Sequence, residues 1–534
     1  MPIRMTDDPN SQPEQFNDDG NGRQSGGGGM RGSGRGLFAL LPLLLRIFGV
    51  KGILVIAAVG IGGYFLMGRS GCSNMMAQAG QLATGGILDP KQFEKASIYE
   101  ALEDDNTKNP LPEAANLQRY APRVGNQGEQ GSCVAWSSAY AARSILEASR
   151  TGEPGGSISF SPAFLYNQIG LDGCQGSYIQ RAMDYMTKQG SLPYEQFPYN
   201  DQDCSTQPSG NMIQQAGDFK MRGYTRLTKG DNTDELDIRA IKENLAQGAP
   251  VVIGMMVGES YMQSMLGKDV WIPEPGDAGM MGFGGHAQCV VGYDDTKYEG
   301  AFLIMNSWGP EWGNNGFAWV RYPDFKRYVR EAYGLEPMAK TGVAAHAPLI
   351  CEIGLMEVQF DGNKSIAKGY IPLQIKNGSR FETVSPLTMG TKFKMEVKNS
   401  VECYIYVFGK ETDGTSYTLF PYPDATDPSK TKYSPFCGIT GVRLFPKDKS
   451  MTPDSIGNRD MIAIVVSREP LDWYKLNQSI SEQPMSDFST RVNNSLGLKN
   501  TPNIRYESTA SGTIQFLGKA TDDIASCVVE ISKH

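Results

Sequence analysis

The chain has 534 residues, 40% of them apolar, with 50 Lys and Arg against 58 Asp and Glu and a net charge of −8. That length exceeds one ordinary domain and supplies apolar residues for more than one core. The mild acidity and the lack of any run of five basic residues speak against a nucleic-acid partner, and no repeat of roughly 20–50 residues is visible, which excludes a solenoid.

Residues 1–36 are polar and Gly-rich, with too few large apolar side chains to offset the entropy of ordering, and are expected to form a disordered tail. Residues 37–68 switch to an apolar run broken by Arg46 and Lys51, and 52–68 carry no charge. That is the short end of the roughly 17–25 residues that span a bilayer, and Lys51 can snorkel. Arg31, Arg35, Arg46 and Lys51 on the near side, against Arg69 alone beyond, predict a single-pass transmembrane anchor. Its N-terminus would be cytoplasmic and the remainder periplasmic or extracytoplasmic. A signal peptide cleaved near 77–79 is disfavoured by the long polar lead. A lipoprotein site at Cys72 is disfavoured by Arg69. Residues 69–110, small and polar, read as a stalk. Residues 111–345 alternate helical and strand-like patterns. Residues 346–534 hold short β-rich runs separated by Gly, Pro, Asp and Asn, the pattern of a mostly-β domain.

Nine cysteines occur and none is spaced C-x-x-C, so a zinc ribbon has no support and no metal or cofactor is expected. The odd total fits an oxidising compartment with one reactive thiol. The histidines are three, His286, His346 and His534, which leaves few bases for cysteine chemistry.

Residues 123–139 read RVGNQGEQGSCVAWSSA. The run after Cys133 has helical spacing, which puts Cys133 at a helix N-terminus, where free N–H groups favour a thiolate. Gln127 is placed to donate to an oxyanion beside the Cys133 N–H. A lone cysteine is more often a small buried hydrophobe, but the string N-Q-G-x-x-G-S-C is specific. In GFGGHAQCVVGYDD, residues 282–295, small residues lead to His286 at the mouth of a strand. In FLIMNSWGPEWGNNGFAWV, residues 302–320, a strand ends at Asn306, whose amide oxygen can hold an imidazole tautomer. Trp308 is placed to keep water off that hydrogen bond. Alone, this stretch reads as a Gly/Asn turn with core tryptophans; its order behind Cys133 and His286 changes the reading.

NQGEQGSC, GGHAQCVVGYDD and NSWGPEWGNNGF, in that order, resemble the papain family of cysteine peptidases over about residues 111–330. The resemblance implies an α+β, two-lobed catalytic domain, one lobe helical and one β-barrel-like. It implies hydrolysis of peptide or protein substrates through a thioester. Cys133 would be the nucleophile, His286 the base, Asn306 its orienting residue, Gln127 the oxyanion donor and Trp308 the shield. GCQGSY, residues 173–178, resembles the family loop whose backbone pairs with substrate, which puts Gly176 and Ser177 there; Gly285 would line the substrate pocket. Gln130 stands where a cysteine normally bonds to that loop, so Cys204 becomes the candidate disulfide partner of Cys174. Val134 replaces an aromatic residue, and 73–110 is too short for the usual inhibitory pro-domain. The alternatives are an amidase or transpeptidase using the same dyad, and a catalytically silent scaffold. Residues of about 350–470 resemble β-rich domains that accompany some bacterial peptidases, and are expected to bind an envelope or protein partner.

Overall fold

The structure is a computed structural model; it describes residues 2–9, 85–277, 285–338, 347–362, 364–447, 449–483, 486–497 and 504–534. The apolar run 37–68, Cys72 and His346 lie outside these residues. Among the described residues no helix is long and apolar enough to cross a membrane.

In the first lobe of the region that holds the three motifs, Cys133 opens a helical path through a π-wound stretch, Trp136–Arg143, into Ser144–Thr151. Helices Pro162–Ile169 and Ile179–Lys188 pack against it. The first of these starts where it does because Ser161 accepts from the Phe164 N–H and Pro162 has no N–H that needs an acceptor. The second lobe is an eight-stranded sheet. At its centre Gly285–Asp294 lies between Val251–Met256 and Ala301–Met305, with Met255 opposite His286. Val251–Met256 and Ala301–Met305 are apolar along their whole length because both faces are covered, and the strand between them is buried from Gly285 to Tyr293.

Residues after 347 form a β-sandwich. The apolar core between its eight- and seven-stranded sheets holds Ile353, Phe393 and Met395 from one and Ile405, Ile464 and Val529 from the other. Helices Trp473–Ser481 and Phe488–Ser495 cover the outer face of the second sheet, meeting Tyr406, Phe408 and Val465. Alternate residues of one strand therefore face two different apolar layers.

Two expectations change. Residues 85–110 are not a stalk but an extended segment packed into the fold. Ile98 donates to Lys432 O at 2.7 Å and accepts from Ser434 N, while its neighbours Ser97 and Tyr99 pair with Arg226 of the catalytic region. Beside them Arg443, wholly buried, donates to Glu100 O, Asn399 Oδ1 and Ile439 O. Arg443→Ala leaves these acceptors dry and unpaired, so the chain is expected to lose about 3 kcal/mol of stability in a denaturant melt.

The second change concerns the tail. Ile3–Asp7 is a strand at the edge of the sandwich, antiparallel to Lys449–Pro453. A five-residue strand with two aliphatic side chains carries no signal without the sheet that receives it. This pairing puts residues on both sides of the run 37–68 in one folded body.

Candidate active site

The helix that begins at Cys133 and the strand that begins at Gly285 meet at the thiol. Cys133 is wholly buried, and the Ala287 N–H donates to its Sγ at 3.4 Å. The adjacent His286 bonds through Nε2 to Asn306 Oδ1 at 2.7 Å, while Nδ1 has no hydrogen-bond partner among the described residues. That leaves Nδ1 for the thiol. Trp308 stacks on the imidazole, 4.3 Å between centroids and 19° between planes, over the His286–Asn306 bond.

Gln127 is fixed at both ends. Its Oε1 accepts from Ser307 Oγ at 2.7 Å, and its Nε2 donates to Gln130 O at 2.9 Å. Tyr199 OH holds its carbonyl and Ser307 O receives its N–H. One amide hydrogen of Gln127 is thus committed to the loop and the second remains for an oxyanion. Cys174 is disulfide-bonded to Cys204, with a Cα–Cα distance of 6.1 Å. Of the two loop residues next to it, Gly176 donates to Tyr166 OH, whereas Ser177 faces the cleft. No cluster of three or more His, Cys, Asp or Glu that could hold a metal occurs among the described residues.

The cleft is occupied by the chain itself. Ser177 N donates to Gly85 O and Ser177 O accepts from Ile87 N, both at 3.0 Å; Gly86 N donates to Gly285 O at 3.1 Å. Residues 85–88 thus lie between the loop and the histidine strand, paired to both edges. A side-chain carbon on Gly85 would stand 2.6 Å from Cys133 Sγ and 2.8 Å from the backbone of Gly131, so only glycine passes over the thiol. Leu88 fills the space beside Gly254 and Gly285. Asp89 then anchors the exit, its N–H on Glu331 Oε1 at 3.0 Å and its carboxylate capping Pro90–Phe93. This strap was not anticipated from the sequence. Its one trace there is the pair Gly85-Gly86 before two aliphatic residues and a helix cap.

The strap also reverses an expectation about charge. The helix N-terminus favours a thiolate, but burial pushes the Cys133 thiol up to about 12, against the opposing backbone N–H groups of Ala287 and Val134. Burial likewise pushes His286 down to about 4, against its bond to Asn306. In the closed chain the pair is therefore neutral thiol and neutral imidazole. The His286 resonances are expected to titrate with a midpoint near 4 in an NMR experiment, well below the ordinary imidazole value. Because His286 takes up its proton later in the closed form than in an opened one, its contribution to closure holds at neutral pH and is lost on acidification towards 4. Glu331 acts in the opposite sense, since burial pushes its carboxyl up to about 7 and the neutral form gains below that. A local probe of His286 separates the two.

The site thus combines a two-lobed fold, a buried cysteine at a helix start and a strand-borne histidine held by an asparagine. Residues 111–339 match the family model described as papain family cysteine protease. Cathepsin K of Mus musculus is 31% identical over 212 residues, covering 39% of this chain and 59% of that protein. A cysteine protease of Blomia tropicalis is 28% identical over 249 residues, covering 44% of this chain and 68% of that protein. Among solved structures, xylellain, a cysteine protease from Xylella fastidiosa, is 24% identical, covers 48% of this chain and 97% of its own, and has a TM-score of 0.40. The chain spans 59% and 58% of the two cathepsin K sequences it matches, those of mouse and Gallus gallus.

Proposed function

We propose that this chain is a cysteine-type peptidase held latent by its own strap. The observation that carries this reading is the contact of Cys133 with the backbone at His286–Ala287, with His286 fixed by Asn306 beneath Trp308. Once the strap leaves, water returns to the thiol and imidazole, and both shifts caused by burial relax. The Cys133 sulfur attacks a peptide carbonyl while His286 Nδ1 holds the proton lost by the thiol. The tetrahedral oxyanion takes hydrogen bonds from the Cys133 N–H and the free hydrogen of Gln127 Nε2. His286 passes its proton to the leaving amine, and water, activated by the same nitrogen, hydrolyses the thioester. Ser177 and Gly285 then pair with the substrate backbone as they pair now with residues 85–87.

Gln127→Ala is expected to lower turnover about 100-fold with little change in KM, since its donor is used in the transition state. The reading itself is tested with an epoxide or vinyl-sulfone thiol probe. A chain with the strap displaced should be labelled at Cys133 and hydrolyse a fluorogenic peptide. A folded, strap-displaced chain that the probe leaves unlabelled at Cys133 would overturn it.

A further inference from the structure

The edge of the C-terminal sandwich that carries Ile3–Asp7 is built more specifically than a plain sheet edge. The strand pairs from Ile3 opposite Pro453 to Asp7 opposite Lys449. Beyond it, Asp454 N donates to Pro2 O at 2.7 Å. Tyr417 reads the backbone of residue 3 twice, accepting from Ile3 N at 3.0 Å and donating to Ile3 O at 3.4 Å. The Ile3 side chain has no exposed surface and joins the sandwich core. At the other end Lys394, with its side chain 3% exposed, points its ammonium at the carbonyls of Pro446, Lys447 and Lys449. The carboxylate that neutralises it is that of Asp8, at 2.6 Å, which Ser450 Oγ also holds. Arg4, between these two points, is exposed.

Backbone pairing along a sheet edge binds many sequences; pockets for particular side chains add selection. Here there are two such features, a closed apolar pocket and a buried ammonium that needs an anion. A buried lysine deprived of its partner is strongly unfavourable, so the second feature discriminates against any neutral replacement. We propose that this edge is a strand-acceptor site for an extended peptide that carries an aliphatic side chain at one position and a carboxylate five residues on, and that residues 2–9 of the same chain are its resident, exchangeable ligand. The covalent link to the site runs through residues 10–84 and acts only by raising the local concentration of the ligand. Recognition resides in Ile3, the paired backbone and Asp8. The site is separate from the Cys133 cleft and does not depend on peptidase activity.

The test uses the full chain carrying Cys133→Ala, with a specific protease site inserted in the glycine run 26–29 and a fluorophore on the segment before it. After cutting, the labelled piece is expected to co-elute with the large fragment in gel filtration. A synthetic peptide of residues 2–9 should chase it off. The same peptide with Asp8→Asn or Ile3→Ser should compete about tenfold or more less well, and with Arg4→Ala about as well as the native one. A chain carrying Asp8→Asn, cut in the same way, should release its own segment and bind the native peptide, which shows that the site is folded. Release of the native segment on cutting with no binding of added peptide would overturn the proposal. So would equal competition by all the peptides, or an uncut chain that elutes as a strand-exchanged dimer.

Discussion

Gly85→Leu is expected to raise peptidase turnover on the order of tenfold or more. The substitution puts carbon atoms where Cys133 Sγ and the Gly131 backbone already stand, at 2.6 and 2.8 Å from the first side-chain carbon. The Gly131 main chain cannot yield, because it is packed against the Cys174–Gly176 loop. The strap must therefore lift, losing its bonds to Ser177 and Gly285. Each such bond contributes about 1 kcal/mol net, and three together are enough to move a two-state equilibrium by about two orders of magnitude. The gain is read as hydrolysis of a fluorogenic peptide and, independently, as faster alkylation of Cys133 at neutral pH. Gly210→Ala, where the added carbon meets nothing within 4 Å, serves as the control. An alkylation rate equal to wild type in a folded Gly85→Leu chain would show that something other than the strap limits access.

In that opened background, Cys133→Ala is expected to lower kcat/KM by about 10⁴-fold or more, because removing the nucleophile of a coupled set costs nearly as much as removing the whole set. The background matters, since a latent chain has little activity to lose. Stability should not fall with it. Cys133 is buried, and its one hydrogen bond to the rest of the fold is a long N–H to sulfur contact, so alanine leaves a small void and little else unpaired. Loss of turnover with an unchanged melting temperature therefore assigns the effect to chemistry. Residual turnover within tenfold of the opened parent would mean that the reaction does not pass through this sulfur.

The candidate site was legible because its chemistry is local. Cys133 at a helix start, His286 at a strand start and Asn306 at a strand end each sit in a string whose residue types serve one purpose, and scarcity of histidine narrows the choice of base. The mostly-β region after residue 346 follows from hydrophobic periodicity, which is a property of ten or so consecutive residues, whereas the two lobes followed only from the resemblance of the three motifs. What holds Gln127 was not legible, since Tyr199 comes from no recognisable string and Ser307, though inside the Asn306 motif, lies far from Gln127 in the chain.

By itself the sequence placed Cys133 at a helix start, His286 at a strand start and Asn306 at a strand end, because helix starts, strand ends and turn glycines are set by near neighbours. The tertiary structure decided the rest. It showed that residues 85–88 cross the thiol, that residues 97–103 are clamped between the catalytic region and Arg443, and that Ile3–Asp7 completes a sheet more than 400 residues away. It also buries Cys133 and His286, which pushes both towards their neutral forms. These are all matters of burial. An extended segment of two glycines or two aliphatic residues has no preference strong enough to announce itself until another surface removes water from it.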